Sequence, residues 1–219
     1  VCSSDLHFAL LVPSRADLAR TLRRLVDTRT VMQGFADHGV SEAIYLADPD
    51  GNGIEVYRDR PPGEWPRGAG GDLRMDTRPL DTDGLLEELR EAPPSRPGLA
   101  AGTVMGHVHL HVSDLEGAEA FYVGVVGFDL MQRYGRAALF VSAGGYHHHV
   151  GLNTWAGVGA PAPAPGSIGL RHFELKIPGR RALDALGDRL EAAGVLTERS
   201  DDRLAARDPS SNAFLARLA

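Results

Sequence analysis

With 219 residues, 43% of them hydrophobic and 24% charged, the chain has the make-up of a globular protein that can bury one full core or two small ones. A formal net charge of −6 argues against a nucleic-acid partner, because phosphate binding needs a basic surface. No apolar run approaches the roughly 20 residues that span a bilayer, and the one cysteine, Cys2, excludes an intrachain disulfide and a multi-cysteine metal site. These features predict a cytoplasmic protein with no membrane partner.

In chain order, "VCSSDL" opens without an initiator methionine and abuts "HFALLVP", which already reads as a strand. The first few residues are expected to be foreign, ahead of a fragment that has lost an upstream module. If so, Cys2 carries no information. After the strand at 7–12, Ser14 is a candidate N-cap for a helix with Leu18, Leu22, Leu25 and Val26 at helical spacing. Two or three strands follow, including "AIYLA" and "GIEVY", which are joined by the turn "DPDGN". The stretch 58–106 is rich in proline, glycine and charge and predicts a linker, with a short helix over 82–91.

The layout then recurs. A strand "HVHLHV" at 107–112 leads through Ser113 and Asp114 to a helix with Ala118, Phe121, Tyr122 and Val125 apolar. "AALFVS" and "HHHVGLN" predict the following strands. The loop 155–169 is low in complexity, with Trp155 as its expected anchor. "LRHFELKI" at 170–177 begins a third copy. Its helix carries Leu183, Leu186 and Leu190 and ends at Gly194, and "LAAR" and "AFLARL" follow.

The prediction is an α+β fold of repeated βαβββ modules with cupped mixed sheets. The modules fall at 1–57, 107–155 and 156–219, the last with its preceding Pro/Gly loop, and 58–106 is the linker. A lone module exposes one sheet face and must pair with another. Three is an awkward number for pairing, which again points to a missing fourth.

Strands alternate faces. His107, His109 and His111 therefore share one face of "HVHLHV". In "YHHHVGLN", His147 and His149 share a face opposite His148. Glu55 points away from Ile54 and Val56. Imidazole and carboxylate bind Zn, Fe, Mn and Ni. Two histidines and one carboxylate on one side of a metal leave open positions that suit non-haem Fe(II). First-strand histidines and the last-strand Glu55 can make such a set. Taken singly, a histidine-rich strand is what any half-exposed strand can look like, and "DPDGNG" is an ordinary turn. What sets these residues apart is their recurrence at equivalent positions of the repeated units.

"GHVHLHVSDLEGAEAFYVGVVGFDL" and "AIYLADPDGNGIEVYRDRP" resemble the vicinal oxygen chelate superfamily, which includes glyoxalase I, bleomycin resistance proteins and type I extradiol dioxygenases. "HFALLVPSRADL", "DHGVSEAIYLADPDGNGIEVY" and "FVSAGGYHHHVGLNTWAG" are closer to the bacterial catechol 2,3-dioxygenase group of four βαβββ modules. The resemblance covers nearly the whole chain, as modules two to four. It implies Fe(II), with Mn(II) as the alternative, held by two first-strand histidines and a last-strand glutamate. The matching positions are His7, His107, His172 and Glu55. Leu215 stands where the last module would carry its glutamate, so His7, Glu55 and His107 are the expected ligands and His172 is expected to be structural. Extradiol enzymes usually pair their last two modules, and this arrangement departs from that.

The same resemblance implies Tyr45 and His38 as substrate hydrogen-bonding residues and His149 as the acid–base histidine. Phe140, Tyr146 and Trp155 are candidates to line the aromatic pocket. The expected partners are a small aromatic diol and O2, and a homo-oligomer is the candidate assembly. Two competing expectations share the fold. One is a glyoxalase-like isomerase or lyase using Zn, Ni or Mn as Lewis acid. The other is a binding protein of the bleomycin-resistance type with no metal chemistry.

Overall fold

The computed structural model describes residues 6–90, 98–164 and 166–219. Cys2 and the suspected foreign start at 1–5 lie outside the described residues. The chain forms two compact units, 1–109 and 110–219.

The first unit runs β1 (His7–Leu11), α1 (Arg15–Asp27), β2 (Met32–Asp37), β3 (Ser41–Ala47), β4 (Gly53–Asp59), α2 (Thr82–Glu87) and β5 (Val104–His111), whose last two residues fall in the second unit. Its strands lie in the order β2-β3-β4-β1-β5. β1 is parallel to β4 and antiparallel to β5. Ser14 caps α1 as expected, its side chain accepting from the Asp17 amide at 3.1 Å. Val26 is not part of the buried stripe and is 51% exposed.

Alternation separates the two faces of this sheet. Ile44, Val56, Leu10, Leu46 and Ile54 face α1 and α2, packing with Leu18, Ala19, Leu22, Leu80 and Leu85. Ala9, Ala36, Ala43, Tyr45 and Tyr57 pack together on the other face. The turn that joins β3 to β4 is built by its sequence. Asp48 Oδ1 accepts from the Asp50 and Asn52 amides at 2.9 and 2.8 Å, and Gly51 takes φ +86°. This fixes the register in which Glu55 lies between Ala9 and Tyr45. The predicted helix over 82–91 is shorter than expected. α2 ends at Glu87, and residue 91 lies outside the described residues. Gly84 follows the Asp81 N-cap, and so short a helix depends on packing by the buried Leu85.

The second unit contains α3 (Leu115–Glu119), which continues as a π-type stretch (Ala120–Val126). It then has β6 (Asp129–Tyr134), β7 (Ala138–Ser142), β8 (Val150–Asn153), β9 (Phe173–Ile177), α4 (Arg180–Ala192), β10 (Leu196–Arg199), β11 (Arg203–Arg207) and β12 (Ala213–Leu218). β6, β7 and β8 form an antiparallel meander, and a separate sheet has the order β10-β11-β12-β9. α4 buries Leu183, Leu186 and Leu190, and Gly194 with φ +70° closes it. Arg189 donates to the Val125 and Val126 carbonyls at 2.7 and 2.9 Å, capping the end of the π-type stretch.

The turn that repeats "DPDGN" as "DPSSN" also repeats its bonding. Asp208 Oδ1 accepts from the Ser210 and Asn212 amides at 2.9 and 2.8 Å. Here the turn has a further task. Asp208 Oδ2 accepts from the Tyr122 hydroxyl at 3.1 Å, and Ser210 Oγ accepts from the Ser113 amide at 2.9 Å.

Three local expectations are corrected in this unit. "HHHVGLN" is strand only from Val150, so residues 147–149 do not alternate; His147 and His148 are both buried. The consecutive positive φ values of Gly144 and Gly145 turn the chain before them. β9 begins at Phe173, which leaves His172 outside it and exposed. Trp155, the expected anchor of its loop, is not buried but 44% exposed. Among the described residues, no helix is long and apolar enough to cross a membrane.

Candidate metal centre

The inner face of the first unit gathers its polar groups on three adjacent strands. β1 brings His7, β4 brings Glu55 and β5 brings His107 and His109. His7 lies directly across from His109, and Ala9 from His107. Leu10 pairs with Met105, so Gly106 is bulged out of register beside His107. All four polar side chains are buried, with residue exposures of 7, 2, 3 and 8% in the order His7, Glu55, His107, His109.

One carboxylate oxygen joins two of the rings. Glu55 Oε2 is 2.9 Å from His7 Nε2 and 3.1 Å from His107 Nε2. Burial pushes the Glu55 carboxyl up. The charge and hydrogen bond of His107, then those of His7, outweigh this and hold it well below the usual carboxylate range. His109 is driven well below the ordinary imidazole range by burial, then by the charges of His7 and His107, so it is neutral. Its ring stacks on His7 at a centroid distance of 4.3 Å.

This donor set fits a metal. One nitrogen from each of His7, His107 and His109 lies within 4.8 Å of the others, a cluster from which an ion could draw its imidazole ligands. Ligands in adjacent positions of an octahedral ion, each about 2.1 Å from it, stand about 3.0 Å apart. The two Glu55 contacts bracket that separation. Burial, imidazole nitrogen and an ionised carboxylate together suit a divalent transition metal and leave its identity open.

Tyr45 and His38 lie at the same centre. Tyr45 packs edge-on to His7 with centroids 5.6 Å apart, and its hydroxyl is 2.7 Å from His38 Nε2. His38 Nδ1 is 2.8 Å from the Asp76 carbonyl, which can only accept. In neutral His38, then, Nδ1 carries the proton and Nε2 accepts from Tyr45.

The other candidates belong to the second unit, where Phe140, Tyr146 and His149 gather about the histidine run 147–149, while Trp155 is 44% exposed. Tyr146 packs on His147 and His149 at 4.0 and 5.0 Å, and Phe140 on His148 at 5.0 Å. His149 Nδ1 accepts from the Ala143 amide at 3.2 Å and lies 2.9 Å from Ser142 Oγ. The proton of neutral His149 is therefore on Nε2. Burial and His147 lower its pKa. Leu215, the hydrocarbon counterpart of Glu55, lies between Glu174 and Ala205.

Sequence reasoning gave no role to His109, although alternation in "HVHLHV" had already put it on the face of His107. Tyr57 and Gly106 were also missed. Tyr57 is fully buried with its ring 4.7 Å from that of His107, and nothing in "GIEVYRD" sets it apart from a packing tyrosine.

The model of the glyoxalase/bleomycin resistance protein/dioxygenase superfamily matches residues 4–56 and 104–213. A catechol-2,3-dioxygenase of Bacillus subtilis (strain 168) is 46% identical over 210 residues, covering 95% of this chain and 73% of that protein. A solved structure of an inferred dioxygenase from Bacillus subtilis subsp. subtilis str. 168 matches all of this chain and 63% of its own, with a TM-score of 0.61 at 11% identity, a likeness of fold alone. The lactoylglutathione lyase of Agrobacterium tumefaciens is 22% identical over 57% of this chain and 96% of its own, with a TM-score of 0.42. By the family match and the 46% relative, this chain belongs to the glyoxalase/bleomycin resistance protein/dioxygenase superfamily.

Proposed function

We propose that the chain is an extradiol ring-cleaving dioxygenase that opens small catechol-type diols with O2. The observation that carries this is the single Glu55 oxygen 2.9 and 3.1 Å from two buried imidazoles. The catechol-2,3-dioxygenase at 46% identity supports it. His7, His107 and Glu55 would hold Fe(II), with Mn(II) as the alternative. When bound, such an ion lowers the pKa of a coordinated hydroxyl and brings diol and O2 into electronic contact.

The remaining work falls to the chain. The buried site keeps bulk water away from the reacting groups. Tyr45 would hydrogen-bond a substrate oxygen. A proton released by the diol passes to Tyr45 as Tyr45 gives its own to His38 Nε2; His38 is only partly buried and leads toward solvent. His149 presents Nε2–H as a donor, the form required of a general acid, and its lowered pKa keeps it neutral near pH 7. Tyr146 and Phe140 are assigned to the aromatic pocket around it. Trp155 is retained there as a loop residue. The modules 1–57, 107–155 and 156–219 are assigned as the repeating units of the enzyme.

The test is oxygen uptake after anaerobic loading with Fe(II), then catechol and air. Uptake that Glu55→Gln abolishes supports the assignment. Uptake that survives the substitution moves the metal elsewhere. Absence of uptake with several catechols, despite bound metal, favours a glyoxalase-like isomerase or lyase.

A further inference from the structure

Three imidazoles crowd this centre, and the geometry points to only two of them serving one ion. If the centre holds a metal as proposed, the ring planes decide which imidazoles can reach it. A ligand nitrogen aims its lone pair in the plane of its own ring. An ion bound to His7 therefore lies in the His7 plane, about 2.1 Å beyond the nitrogen and about 3.2 Å from the ring centre.

His109 is stacked on His7, with centroids 4.3 Å apart and planes only 19° from parallel. Van der Waals contact keeps two such planes about 3.5 Å apart. The tilt brings an ion in the His7 plane nearer the His109 plane by about 1 Å, leaving it more than about 2 Å off that plane. That exceeds a whole ligand bond. His7 and His109 cannot both ligate the ion from these positions. His107 differs, because its ring stands at 70° to His7 with centroids 6.0 Å apart, so an ion in the His7 plane can lie in the His107 plane as well. Glu55 decides which pair is used, since its Oε2 touches His7 and His107.

We infer that His109 is a positioning residue. Its ring lies flat on His7 and holds that ligand's plane toward Glu55 and His107, and it does not bind the ion. The pairing has a cause in the register, because the β1–β5 ladder places His7 and His109 directly opposite one another. Opposed side chains on adjacent strands pack side by side, whereas ligands of one ion must converge.

The test is a Zn(II) titration of the whole chain labelled with 15N-histidine, followed by long-range proton–nitrogen spectra. His7→Phe, His107→Phe and His109→Phe provide the assignments. Two of these three histidines, His7 and His107, should show a ligated nitrogen, and His109 should stay a neutral, unligated imidazole. His109→Phe keeps a flat ring, so it should retain one Zn(II) per chain with affinity within a few-fold. His109→Ala should retain the stoichiometry and weaken binding about tenfold, as loss of a supporting partner does. A ligated signal from His109, or loss of Zn(II) from a folded His109→Phe as complete as from His7→Phe, overturns the inference alone. The spectra of the unaltered chain decide the point even if a variant fails to fold. If the unaltered chain binds no Zn(II), the metal reading fails and the inference fails with it.

Discussion

Gly106 offers a sharp test of how this centre is held. A Cβ at Gly106 would lie 1.9 Å from Tyr57 Oη, 2.7 Å from Cζ and 2.8 Å from Cε1. Real Cβ contacts essentially never fall below 3.0 Å, so in Gly106→Ala the hydroxyl must retreat by at least about 1 Å. Tyr57 is 0% exposed and cannot swing into solvent. Overpacking of this kind costs about 1–3 kcal/mol, and a rigid strand-to-ring clash belongs at the upper end, about 2–3 kcal/mol. The displaced ring lies 4.7 Å from His107, so relief of the clash is passed to a proposed ligand. Metal affinity should fall about 10–100-fold. Urea unfolding of the metal-free chain reads the first effect, and Zn(II) titration the second. Adding Tyr57→Phe removes the closest of the three contacts, so the double variant should recover part of the loss, a non-additivity of about 1 kcal/mol or more. A stability change under about 0.5 kcal/mol in Gly106→Ala, with unchanged affinity, would refute the reasoning.

Other consequences are equally open to measurement. Glu42 is 3% exposed and meets Arg58 at 2.6 Å, Arg15 at 2.9 Å and Arg60 at 3.2 Å. Glu42→Gln leaves these cations facing a neutral amide and should cost about 3 kcal/mol in urea unfolding; a loss below about 1 kcal/mol would show the cluster to be solvated. Asp208 is pushed up from the ordinary carboxylate range by burial. A raised folded pKa means its contribution is fully present below the unfolded value and is lost as pH rises through the folded one. The cost of Asp208→Asn should therefore be smaller at pH 7 than at pH 4, and a cost that grows with pH would contradict this. Zn(II) at about 100 times its dissociation constant should stabilise the chain by about 2.7 kcal/mol, reversed by chelation. Glu55→Gln should show much less of that gain, and an equal gain would place the ion elsewhere.

Much of the metal face was legible from strand periodicity. A two-residue period puts His107 and His109 on one side of "HVHLHV" and sets Glu55 apart from Ile54 and Val56, whatever the rest of the chain does. The turn chemistry of "DPDGN" was legible because Asp48 bonds amides two and four residues on, a purely local event. Ser14 and Gly194 could be read as helix ends for the same reason. Local rules failed where backbone geometry broke the period. The glycines before "HHH" delay the strand to Val150, so the alternation expected of His147 and His149 does not occur.

The sequence by itself determined which residues can ligate a metal, and on which side of their own strands they stand. Periodicity and donor chemistry settle both without reference to neighbours. It could not say that His7 lies opposite His109 rather than His107, or that Gly106 bulges to admit Tyr57. Those depend on the register between strands about a hundred residues apart. The tertiary structure decides register by fitting whole faces together, so that the hydrocarbons of β3 and β4 meet α1 and α2 while the imidazoles converge on Glu55.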